Sequence, residues 1–168
     1  MCIRDSPSTS IIQFPYYRLY MAIHYCNEFM RECTEDKLRE RGVYEELKDE
    51  YQYYVAEARF IRAYCYSMIC DLYGSGPFVD ETMVVGVLPQ QKTRQEIYEY
   101  AVNELETILP ALKTPNTNQY GRIDQVAAWF LLSRIYLNAE VYVGKDEYKN
   151  AYKYAKMVID SHAYPLAS

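Results

Sequence analysis

A chain of 168 residues, half of them hydrophobic and a quarter charged, has enough apolar surface for one sizeable core, which excludes a disordered segment. A formal net charge of -5 and a pI near 5.1, with no cluster of Lys and Arg, exclude nucleic acid as a natural partner. No apolar run approaches the roughly 18 residues that a membrane helix needs, so the sequence has no spanning segment.

In chain order, the opening 1–6, MCIRDS, has the form of a translated sequencing-adaptor scar and is set aside, leaving 7–168 as one partial helical domain truncated at both ends. After Pro15, Leu19, Ile23, Cys26 and Met30 fall at spacings of four, three and four, which predicts a first amphipathic helix. The mixed-sign stretch 35–50 reads as a solvated, exposed connection. Residues 51–73 contain no Gly or Pro and are apolar on nearly every face, predicting a long helix buried on more than one side, stopped by Gly74. The Gly- and Pro-containing stretch that follows predicts a long loop with a short extended piece around Phe78 and Val79.

Thr93 followed by Glu96 is a capping box, because each side chain can satisfy an orphan amide at a helix start. Behind it Ile97, Tyr98, Ala101, Val102, Leu105, Ile108 and Leu109 form one apolar stripe, with Glu99, Asn103, Glu104 and Glu106 elsewhere, until Pro110. After a polar loop, Gly121 and Arg122 lead into a fourth helix over about 124–142, and a fifth spans about 147–161.

The second and fourth helices match when shifted by seventy residues: Ala58 falls on Ala128, Phe60 on Phe130, Tyr66 on Tyr136 and Gly74 on Gly144. Each is followed by a more amphipathic helix, the order that a stacked helix-pair repeat requires. Small residues such as Ala56, Ala63 and Ala127 allow the axes to approach. The expected fold is all-α, built of tetratricopeptide-like stacked helix pairs with long loops.

Residues able to carry chemistry are sparse. His24 and His162 lie far apart without a metal-binding or catalytic spacing, and no nucleophile elbow or phosphate-cradling loop occurs. The five cysteines show no C-x-x-C pair and read as free, mostly buried thiols. Asp71 and Asp80 lack the spaced oxygen ligands of a calcium loop and read as solvated acids. Glu57, Arg59 and Arg62, in a helix otherwise buried, read as ion pairs between packed helices. Trp129 reads as core; Tyr73, Phe78 and Tyr120, at helix ends or in loops, are the better-placed aromatics for stacking on a ligand. No catalytic residue, cofactor or metal is expected.

The stretch AEARFIRAYCYSMICDLYGSGPFVDE resembles the signature of the SusD/RagB family, a Glu-Ala-x-Phe-x-Arg-Ala helix followed by a Tyr-Gly-x-x-Pro loop. The matching residues are Glu57, Ala58, Phe60, Arg62, Ala63, Tyr73, Gly74 and, one position late, Pro77. TRQEIYEYAVNELETILPAL, YGRIDQVAAWFLLSRIYLNA with its Gly121 and Arg122, and VIDSHAYPL resemble further family segments in the same order, and upstream Ile23 and Asn27 fit a helix of that family. The resemblance spans about 16–166. It implies a non-catalytic, surface-exposed lipoprotein of the outer membrane of Bacteroidetes that captures glycan or peptide nutrients for a SusC-like TonB-dependent transporter. Its helices would form the scaffold, facing the transporter, and much of the ligand site would lie in segments outside them. The family's export signal and lipidated cysteine are missing here, Cys2 belonging to the segment set aside, so membrane association is expected only through an anchor that this sequence lacks. Periodicity and small-residue packing alone also fit a generic tetratricopeptide adaptor that binds a protein partner.

Overall fold

The structure, a computed structural model, describes residues 9–84 and 86–165. The segment 1–6 and Leu166, at the edge of the family resemblance, lie outside the described residues. Helix α1 (Ser10–Glu32) begins earlier than its apolar stripe suggests and carries Pro15 inside it. The bond that proline forfeits is to the Ile11 carbonyl, in an exposed first turn where water can take its place. The rest of α1 turns Ile23, Cys26, Asn27 and Met30 inward.

The charged stretch forms two short helices, α2 (Glu35–Glu40) and α3 (Tyr44–Leu47), and stays largely exposed apart from Leu38. Helix α4 (Tyr51–Leu72) is buried around much of its circumference, from Ala56 and Ala58 through Arg62 to Tyr66 and Ile69. Gly74 ends it with φ +79, a left-handed conformation that lets its N–H reach back to the Ile69 carbonyl at 3.0 Å.

The extended piece lies one or two residues earlier than predicted. Strand β1 (Gly76–Pro77) pairs antiparallel with β2 (Gln91–Lys92), and the ladder continues through Phe78 N–H donating to the Gln90 carbonyl. Close approach sets the position: a Cβ at residue 76 would fall 2.5 Å from the Tyr20 hydroxyl, which itself donates to the Pro77 carbonyl at 2.9 Å.

Helix α5 (Arg94–Ile108) starts from the predicted capping box at Thr93 and runs into a 3-10 turn, Leu109–Ala111, that contains Pro110. The predicted fourth helix is in fact two, α6 (Gln125–Leu137) and α7 (Ala139–Val143). Asn138 breaks it by turning its side-chain amide back onto the Arg134 carbonyl at 2.9 Å, which competes with the helix ladder. Asp124 caps α6 by accepting from Val126 N–H and Ala127 N–H, and α8 (Tyr148–Asp160) closes the described chain.

The helices pack in pairs, α4 against α5 and α6 against α8, with α1 laid on α4. One core, centred on Ile23, Tyr66, Ile69, Ile97, Leu105, Ile108 and Leu132, runs through both pairs. The fold is the all-α stack of tetratricopeptide-like pairs that the repeat predicts. Gly74 and Gly144 both take positive φ at the end of their unit, and Ala58 and Ala128, like Tyr66 and Tyr136, are buried in both. The Phe60/Phe130 match is not reproduced in environment: Phe60 packs on the core, whereas Phe130 is exposed.

Candidate functional site

The densest polar chemistry lies where α1, α4 and α5 meet the 74–93 loop. Arg62 is only 3% exposed. Its Nη1 donates to Asn27 Oδ1 at 2.8 Å and to the carboxylate of Glu81, and its Nη2 donates to Glu104 Oε1 at 3.0 Å. Arg59 grips the same Glu104 with a two-pronged pair at 2.8 and 2.7 Å. Ion pairs between packed helices are thus what Arg59 and Arg62 form. Glu104 does not lie away from the buried side as its place in the helical pattern predicts; it is buried, because two guanidinium groups stand opposite it. Burial alone would push Glu104 toward its neutral form, but its bonds to Arg59 and Arg62 outweigh this and hold the carboxyl below the usual range. Burial likewise opposes the charge on Arg62, and Tyr100, Glu81 and Glu104 together hold its pKa above that of an ordinary arginine.

This cluster anchors the loop. Asn27 Nδ2 donates to the Val79 carbonyl at 3.2 Å, and the Tyr66 hydroxyl both donates to that carbonyl and accepts from the Val79 N–H. Arg31, one turn along α1 from Asn27, donates to the carbonyls of Asp80, Glu81 and Met83 at 3.2, 2.7 and 3.1 Å. The motif residues Asn27, Arg62, Gly74 and Pro77 therefore serve one purpose, fixing a long loop on the helical frame, while Phe60 packs on the core. Arg31, Glu81, Tyr100 and Glu104 belong to the same assembly, although the sequence pattern assigns none of them a place in it. Only Arg31, four residues after Asn27 on one helix face, left a readable signal.

A second clamp holds the loop before α6. Glu57 accepts from Arg122 Nε and Nη2 at 2.9 and 2.6 Å and from Asn118 Nδ2 at 2.9 Å, while the Arg122 guanidinium lies 4.8 Å from the Tyr54 ring centre. Gly121, at φ +81, makes the turn that delivers Arg122, and the neighbouring Ala58 is buried beneath.

The three candidate stacking aromatics are not gathered into one site. Tyr73 is half-buried, edge-on to Tyr16, and its hydroxyl donates to the Ile12 carbonyl at 2.7 Å. Phe78 stacks on Tyr66, meets Tyr100 edge-on with ring centres 4.7 Å apart, and has Lys92 over its face at 4.3 Å. Its outer edge lines a shallow cavity of about 270 Å³ with Asp80, Thr82 and Gln90. Tyr120 is fully exposed, at 107% of its reference area.

Trp129 is partly buried against the core. His24 and His162 are exposed, and Cys26, Cys33, Cys65 and Cys70 are free thiols of which three are buried. Among the described residues no group of His, Cys, Asp and Glu is arranged to hold a metal ion, and no helix is long and apolar enough to cross a membrane.

Comparison with protein-family models finds no match. The chain is 36% identical, over 97% of its length, to the starch-binding protein SusD of Bacteroides thetaiotaomicron, of which it spans 27%. Among solved structures it is similar to a SusD homolog from Bacteroides thetaiotaomicron, with a TM-score of 0.76 and 23% identity over 96% of this chain and 32% of that one. It is similar also to surface glycan-binding protein A from Bacteroides uniformis, with a TM-score of 0.72 and 23% identity over 92% of this chain and 33% of that one. The chain thus spans about a quarter to a third of the length of the proteins it matches.

Proposed function

The chain belongs to the SusD family over the span it covers, and from that premise we propose that it is part of a surface receptor that binds glycans without breaking them and hands them to a SusC-type TonB-dependent transporter in the outer membrane. The observation that carries this reading is the match to a starch-binding protein along nearly the whole chain, together with a shared fold. Glycan is favoured over peptide because the matched proteins are named for starch and carbohydrate. The polar clusters support a role without catalysis, since the Glu57 and Glu104 carboxylates are each already engaged by arginine side chains of the frame and its loops. In this reading the paired helices are the frame and the transporter-facing side. Of the loop aromatics, Tyr120 is the one free to stack on a sugar, whereas Tyr73 and Phe78 already pack against tyrosines.

The test is affinity electrophoresis and calorimetry of the protein against starch-derived and other glycans, with release of reducing sugar measured in parallel. Binding with no sugar release is expected. Turnover of any glycan that it binds would refute the receptor reading.

A further inference from the structure

A second polar recess lies away from the loop, between α4 and α6. Its floor is Tyr98 of α5, a residue only 4% exposed whose hydroxyl is buried without a hydrogen-bond partner among the described residues. Leaving such a group unsatisfied costs about 1–3 kcal/mol, so the position calls for an occupant that bonds to it. Burial lifts the Tyr98 pKa to about 12, so at neutral pH the hydroxyl is intact and able both to donate and to accept. The recess has a cavity volume of about 30 Å³, room for one water-sized group and no more, and lies at the base of an open surface cleft.

The lip of that cleft is polar and largely uncommitted. Among the described residues Asp71 accepts the Tyr142 hydroxyl at 2.9 Å on one oxygen only. Arg134, exposed on α6, has no ion pair among the described residues. Asn138 spends its amide nitrogen on the Arg134 carbonyl, and its oxygen accepts no hydrogen bond among the described residues. Tyr142 of α7, beyond the break at Asn138, and the 40%-exposed Tyr64 of α4 both line the cleft. A carboxylate, a guanidinium and an amide oxygen offer acceptors and donors of the kind that sugar hydroxyls pair with, and tyrosine side chains suit the apolar face of a pyranose ring.

We propose that this cleft binds one hexopyranose unit of a glycan. One hydroxyl enters the recess against Tyr98, the ring lies across the mouth between Tyr64 and Tyr142, and the remaining hydroxyls meet Asp71, Arg134 and Asn138. The proposal rests on the glycan-binding reading above and adds a location to it.

Calorimetry with a maltooligosaccharide, and with a panel of other soluble glycans, tests both. For whichever glycan binds, Tyr64→Ala and Arg134→Ala should each raise Kd about tenfold, equivalent to about 1.4 kcal/mol, and Tyr98→Phe should weaken binding without lowering the melting temperature. Lys156→Ala, on the far helix α8, should bind as the parent does. Both truncated side chains are exposed, so circular dichroism should show intact helices. In the unmodified protein, saturating sugar should protect Tyr64 and Tyr142 from nitration, a readout that needs no variant. If the protein binds a glycan, the three variants bind it equally and no protection appears, the recess holds an ordered water only; this location is then wrong while the receptor reading stands. If no glycan binds at all, both fall.

Discussion

At the scale of single residues, stability concentrates in Glu104 and its two arginines. Replacing Glu104 with Ala leaves the Arg62 guanidinium buried with one carboxylate instead of two, and removing one partner of a buried pair costs about 3–5 kcal/mol. Glu81→Ala should cost less, because that side chain is 37% exposed and water already shares its charge. Urea unfolding of the two variants checks the order. The pH dependence follows in sign. Glu104 ionises more readily folded than unfolded, so its contribution is complete above the ordinary carboxylate pKa of about 4.3 and is lost as pH falls through the lower, folded value. Urea midpoints should therefore fall more steeply between about pH 5 and pH 3 in the parent than in Glu104→Gln. Arg62 and Arg59 were legible as paired residues because a charge in an apolar helix needs a partner. Glu104 was not, since one carboxylate within an acidic run carries no mark of which partner it will meet.

At the scale of elements, helix ends were the most readable features and helix continuity the least. The Thr93–Glu96 box is local chemistry, and it forms as read: Thr93 accepts the Glu96 N–H and its own N–H donates back to the Glu96 carboxylate at 2.8 Å. Thr93→Ala should cost about 1 kcal/mol, visible as a lower melting temperature with no change of helical content in the native state. The break at Asn138 depends on a side chain choosing the backbone over solvent, and an apolar run such as AAWFLLSRIYL conceals it. The start of α1 was hidden in a similar way, because a proline in an early, exposed turn ends no helix.

At the scale of the whole molecule, α1, α4 and α6 leave large apolar side chains in water, among them Met21, Tyr25, Phe29, Ile61, Leu72, Phe130 and Leu137. Exposed apolar side chains in this number are uncommon on a monomer that is stable alone, and end units of a repeat stack depend on neighbours for cover. The isolated chain is therefore expected to bind a hydrophobic dye such as ANS in its native state and to unfold at modest temperature. Calorimetry showing a cooperative melt above about 90 °C, the threshold of hyperstability, would contradict this.

The sequence by itself determined the helical class, the paired repeat, the capped start of α5, the Gly74 stop and the family, because each rests on local periodicity, a backbone preference or a run of matching residues. Only the tertiary structure decided that Asn27, Arg62 and Glu104, from three helices, meet as one anchor for the loop. It alone also separated Tyr73, Phe78 and Tyr120 and opened the cleft above Tyr98. These outcomes depend on distances between segments far apart in the chain, which are set by how helices pack and not by the residues beside each one.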